Sequence, residues 1–412
     1  MENITETARI SSITFPHMLH PLRTHDQHPI GKFFAWMVMT LAIATCLTSP
    51  VLPSFLKLVL HSDSNVSLFF SFLAIVTLIG GLSSGFIFRK IERTTVMKWG
   101  LGILAFSTLG LVVVTEFFSI AILMSIKIFL ELLLQIVLAL FIRDFAKANS
   151  LGKEESQRFR FQNIGALVGL LLGGFLSSQL NYETVFIGES LVALFGLAYF
   201  HKKHIIDNHP AIINSKKTEK SDFFKNMKEF FINSERRKIY FISVIYMLWI
   251  SFKYLYIPLY IANSGYLPNM SGLILSLAMI PAIVFEVKTG EFGKAYTSRK
   301  VITFGFCAIG VILTIIFLSP WPLLNFGLLA ITGAGAGLIE PLKEAYFLEN
   351  TSVKDEEKFY GVYFTHDPIS NFLTPLIGVV TLAFLPFKFL FIVFAMLMLL
   401  AAYFSWTSLK RS

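Results

Sequence analysis

Three polar side chains spaced four apart, Lys127, Glu131 and Gln135, interrupt an otherwise apolar stretch, FFSIAILMSIKIFLELLLQIVLALFI, running from Phe117 to Ile142. On a helix that spacing puts them on nearly one face. An ammonium and a carboxylate four residues apart can pair, and a carboxyl so placed can release a proton beside the cation and retain one when its surroundings dry. A second lysine, Lys253, stands in another apolar stretch among Trp249, Phe252, Tyr254, Tyr256 and Tyr260, without an acidic neighbour on that stretch. Such rings offer stacking faces to a ring-bearing solute. Glu340, in a third stretch, adds another carboxylate.

Helices must position these groups, and their length says in what medium. At about 1.5 Å per residue the 117–142 stretch is about 39 Å long, enough to cross a hydrocarbon core of about 30 Å with some tilt. A charge facing acyl chains costs at least about 2.5–3.5 kcal/mol, so the face bearing Lys127 must look at protein or water. Other helices must therefore enclose it. We count twelve apolar runs: 33–58, 66–88, 96–115, 117–142, 160–180, 184–200, 239–262, 271–289, 300–318, 322–345, 361–384 and 387–408. Composition agrees, with 55% hydrophobic and only 15% charged residues, against about 25% charged in soluble domains. The expected fold class is all-α, a polytopic membrane protein with twelve transmembrane helices in two pseudo-symmetric six-helix bundles.

The net charge of +9 sits between the apolar runs instead of on one surface, which excludes nucleic acid as the partner and points to membrane topology. With the N-terminus inside, the stretches on that side hold 30 of the 35 Lys and Arg, and the opposite connections hold only Lys388. Both termini are thus expected in the cytoplasm, in the cell (inner) membrane. The expected organisation is a cytoplasmic tail (1–32), a first bundle (33–200), a cytoplasmic linker (201–238), a second bundle (239–408) and a cytoplasmic C-terminus (409–412). The tail carries His17, His20, His25 and His28 at irregular spacing, which suits a solvated segment better than a metal site. Within the linker, DFFKNMKEFFINSERRK (222–238) has the amphipathic pattern of a helix lying on the inner leaflet or packed on the bundle ends. Cys46 and Cys307 fall inside apolar runs and read as small buried hydrophobes.

The two halves repeat at a constant offset of 205: Pro53 answers to Pro258, Gly85 to Gly290, Leu170 to Pro375 and Gly173 to Gly378. Landmarks on three helix pairs at one offset argue for equivalent halves in one orientation, with a binding site between them near mid-membrane. The same offset maps Gln135 onto Glu340. Lys127 and Lys253, counted from the outer ends, lie at one depth, roughly 15 Å in. No P-loop, dinucleotide-binding turn or Cys/His metal spacing competes, so neither an enzyme nor a cofactor or metal is expected. His366 and Asp367, adjacent before Pro368, read as helix-start residues.

At these landmarks the chain resembles the major facilitator superfamily, across all twelve runs. GFIFRKIERTTV (85–96) is similar to the family's cytoplasmic gating loop, with Gly85, Lys90 and Arg93 in place; Arg89 stands where Asp is usual, and Gly290 and Lys294 form the counterpart in the second half. Gly165, Gly169, Gly173 and Gly174 match a small-residue pattern associated with proton-coupled exporters, with Leu170 where Pro is usual. Such spacing also serves plain helix packing. YIPLYIANSGYLPNMSGLILSLAMIP (256–281) is similar to the drug-efflux and sugar-efflux branches. The resemblance implies that spans one, four, seven and ten line a central cavity, that Lys127, Gln135, Trp249, Lys253, Tyr256 and Glu340 meet substrate, and that Glu131 and Glu340 couple protons. Glu189 is expected near the outer end and wet.

The resulting expectation is a monomeric secondary transporter that moves a small organic solute by alternating access, as proton-coupled efflux of drug-like or sugar-like molecules. Its partners are the solute, protons and the bilayer. One alternative is an exchanger for an anionic solute held by Lys127 and Lys253. A transport-dead receptor or scaffold with the same fold is the other, and tight binding without flux would identify it.

Overall fold

The computed structural model describes residues 29–145, 151–202, 223–352 and 355–410. The histidine-bearing tail and the first part of the linker fall outside the described residues. All the regular structure described is helical: α1 (Pro29–Thr48), α2 (Leu52–Leu60), α3 (Asp63–Lys90), α4 (Arg93–Val113), α5 (Phe117–Phe145), α6 (Leu151–Gln179) and α7 (Tyr182–His201), then α8 (Phe223–Ile232), α9 (Ser234–Asn263), α10 (Pro268–Tyr296), α11 (Ser298–Leu318), α12 (Pro322–Glu349), α13 (Glu356–Tyr363), α14 (His366–Phe384) and α15 (Phe389–Ser408). They supply twelve spans long and apolar enough to cross a membrane.

Two expected runs are each built from two helices. Span one breaks between α1 and α2, where Pro50 and Pro53 deny the backbone two donors. Span eleven breaks between α13 and α14 at Phe364 and Thr365, ahead of Pro368. The amphipathic linker segment is likewise shorter than the pattern predicts. It stops at Ile232, because the Asn233 side chain accepts from the N–H groups of Glu235 and Arg236 at 3.0 Å and starts α9. Its Phe230 is fully buried, with its ring 5.8–6.2 Å from those of Tyr240, Phe347 and Phe359, so this face of α8 packs on the second half and not on lipid.

Glycines decide how closely the helices approach. α6 lies along α1 through Gly165, Gly169 and Gly173; a Cβ at Gly173 would stand 1.8 Å from the Leu47 carbonyl oxygen. Gly174, one residue round the helix, faces Gly272 of α10, with an added Cβ 3.0 Å from the other's Cα. One edge of the first half thereby meets the second backbone to backbone; α3 against α14 forms the other seam. Gly173→Ala should lower the melting temperature by several degrees, reflecting an overpacking cost of about 1–3 kcal/mol. Gly327→Ala, where an added Cβ meets nothing within 4 Å, is the control and should be neutral. Equal thermal shifts in the two variants would contradict this account of the α1–α6 contact.

Candidate functional site

Lys127 is 2% exposed, and its Nζ lies 2.5 Å from Oε1 of Glu131 and 3.0 Å from Oε1 of Glu189. The first contact follows from one turn of α5. The second comes from α7, and it corrects the expectation that Glu189 is wet: its side chain is fully buried, with Lys127 as its ion-pair partner among the described residues. Glu131 retains 15% exposure. One cation is thus shared by two carboxylates, leaving a formal charge of −1 when both are ionised. Such a cluster has room for one proton without leaving a net positive charge.

The polar stripe on α5 opens to water at its far end. Phe118, Ile122 and Ile126 are exposed and mark the lipid-facing side of the helix. Gln135 is also exposed, but it stands nine residues from Ile126, about half a revolution around the axis. Its exposure is therefore to the interior. The second half repeats the arrangement at the same offset: Ile331 is exposed, and Glu340, nine residues on, is exposed on the opposite side of α12. Glu340 Oε2 accepts a hydrogen bond from the Tyr246 hydroxyl at 2.9 Å.

At the end of the bundle away from the chain termini, side chains tie the halves together. Lys57 Nζ lies 3.0 Å from Asp63 Oδ1 and also donates to Asn263 Oδ1, while Asn263 Nδ2 donates to Asp63 Oδ2 at 2.9 Å. One layer deeper, Ser67 Oγ and the Tyr256 hydroxyl are 2.9 Å apart. Tyr256 thus sits in the contact between the halves. The interior is closed at this end, open at the level of Gln135 and Glu340, and bears the Lys127 cluster in between.

The remaining predicted residues are dispersed. Trp249 is wholly buried, its ring 5.5 Å from that of Phe252, which in turn lies 4.5 Å from Phe394. Lys253 is half-buried, makes no ion pair among the described residues, and holds its Nζ 4.7 Å from the centre of the Tyr254 ring. In the predicted gating loop α3 ends at Lys90, whose Nζ lies 4.4 Å from the Phe86 ring, and Arg93 begins α4. The side chains of Arg89 and Lys294, and the surroundings of Gly85 and Gly290, fall outside what is described. Among the described residues no group of His, Cys, Asp and Glu is arranged to hold a metal.

Known proteins agree with this architecture. Multidrug resistance protein MdtG of Klebsiella pneumoniae (strain 342) is 25% identical over 258 residues, and that of Dickeya zeae (strain Ech586) 23% over 256. In both cases the chain covers 60% of the curated relative's length. Among solved structures, the nucleoside transporter NupG superimposes with a TM-score of 0.75 at 12% identity, covering 93% of this chain and 100% of that one. The D-xylose–proton symporter gives 0.74 at 14%, covering 92% and 98%. At such identities the likeness speaks for the fold alone. The sequence itself matches the Major Facilitator Superfamily over residues 30–267 and 239–412, and a chain so matched through nearly all its length belongs to that superfamily of membrane transporters.

Proposed function

We propose that this secondary transporter exports small, drug-like organic solutes in exchange for protons. The observation that carries the reading is the sharing of one buried ammonium, Lys127, by Glu131 and Glu189. A proton taken up at Glu131 when the interior opens outward neutralises the cluster, and a neutral cluster is cheaper to enclose when the interior dries. Release on the opposite side restores the charge. The efflux direction draws support from the glycine pattern of α6 and from the multidrug resistance proteins that the chain resembles. An anion exchanger built on Lys127 fits less well, since its ammonium is already paired with two carboxylates. In proteoliposomes an acidic lumen should drive accumulation of a transported solute, and flux indifferent to the pH gradient would remove the proton from the reading.

The charge asymmetry supports placing both termini and the 201–238 connection in the cytoplasm, so that the Lys57–Asp63–Asn263 end faces outward. Cysteine introduced at Asn65 or Asn269 should react with an impermeant thiol reagent in intact cells, and cysteine at Lys216 should not. The reverse labelling pattern would invert the topology.

A further inference from the structure

A cleft of about 330 Å³ opens between the halves, walled by α3 and α5 on one side and by α9 and α14 on the other. None of Lys127, Glu131 and Glu189 lines it. Its walls are mostly apolar and aromatic, with Phe70, Met247 and Tyr254 among them, and a short polar chain crosses one side. Ser251 Oγ donates to Asn371 Oδ1, and Asn371 Nδ2 donates to Asp367 Oδ1 at 3.1 Å. The direction of these bonds is informative: the amide is held with its N–H groups toward the carboxylate, so Asp367 ends the chain as an acceptor.

Asp367 is half-buried and makes no ion pair among the described residues. The charged groups near enough to act on it are Lys343 and Glu340. Lys343 is already bonded to Glu344 at 3.0 Å, and Glu340 carries the same sign as Asp367. Lys253, beside Tyr254 in sequence, is not part of the wall. Asp367 also stands in the first turn of α14, where the free N–H groups of the helix favour a negative side chain. A carboxylate in an apolar, membrane-embedded cleft lacks a counter-charge, and the complementary ligand brings a positive group on an apolar body.

We propose that this cleft binds small amphipathic organic cations, with Asp367 as the counter-charge and Asn371 and Ser251 holding it in position. The proposal rests on the reading of the protein as a carrier of organic solutes and narrows that reading to one class. Phenyltrimethylammonium and benzenesulfonate test it, because they share a ring and a tetrahedral head and carry permanent charges of opposite sign. Titrated calorimetrically into the purified full-length protein in detergent, the cation should bind at least about tenfold more tightly than the anion. Asp367→Asn should erase that preference by weakening the cation at least about tenfold, equivalent to about 1.4 kcal/mol, and Asp367→Glu should keep it.

Equal affinity for the two probes in the unaltered protein, or cation binding by Asp367→Asn within twofold of the unaltered protein, would overturn the proposal. Should Asp367→Asn fail to fold, Phe70→Trp narrows the cleft from the other half and must weaken cation binding; unchanged binding there also overturns it. Binding requires no flux, so the two readings fail separately. A protein that binds the cation but moves nothing on a pH gradient loses the carrier reading and keeps the cleft. One that moves other solutes but fails the probe comparison loses the cleft alone.

Discussion

Glu131→Gln abolishes accumulation driven by a pH gradient while solute exchange continues: that is the expected outcome in proteoliposomes, with the accumulation ratio falling to unity and counterflow kept within about twofold. The glutamine has nearly the shape of the glutamate and can still accept from Lys127, so the packing of α5 is preserved. What it cannot do is gain or lose a proton. Of the two carboxylates on Lys127, Glu131 is the one in touch with the open side, because it keeps 15% exposure where Glu189 keeps none. If gradient-driven accumulation survives in Glu131→Gln and is lost in Glu340→Gln, the coupling belongs to the second half.

Lys127→Met should cost more stability than any other single change in the membrane interior. It leaves two carboxylates facing each other with no cation, and removing one member of a buried ionic group typically costs about 3–5 kcal/mol. The double variant Lys127→Met/Glu189→Gln leaves only the partly exposed Glu131, so most of the loss should return. Thermal unfolding of the two variants beside the unaltered protein decides the matter. A double variant less stable than Lys127→Met would mean that Glu189 supports the fold in some way other than through Lys127.

The spans were legible because length and hydropathy are local properties, and so was the Lys127–Glu131 pair, which one helical turn brings together. The burial of Glu189 is not legible in the sequence, for the opposite reason. Its partner lies on another helix, and which way α7 turns toward α5 is set by packing that leaves no periodic trace nearby. The usable signal was chemical: a lone carboxylate inside an apolar span is expensive wherever it sits, and that cost applied to Glu189 as much as to Glu131. Asp367 is the helix-start residue that its place before Pro368 suggests, in the first turn of α14, and the same cost applies to it. With the aromatics around Lys253 the difficulty is reversed. Their types suggest stacking on a solute, yet Trp249 is spent on Phe252 and Tyr256 on Ser67 across the halves.

The meeting of Gly174 with Gly272 bears on how such a bundle can move. Interlocked side chains would have to be withdrawn and reseated for one half to turn against the other, and each withdrawal raises a barrier. Two helices touching at bare backbone present almost smooth cylinders, with no knob to extract from a hole. At Gly174 and Gly272 the seam is in effect a plain bearing, one that would keep the halves in register while offering little friction to rotation. The polar ties at Lys57, Asp63, Asn263 and Ser67 are then what an opening of the far end would have to unfasten.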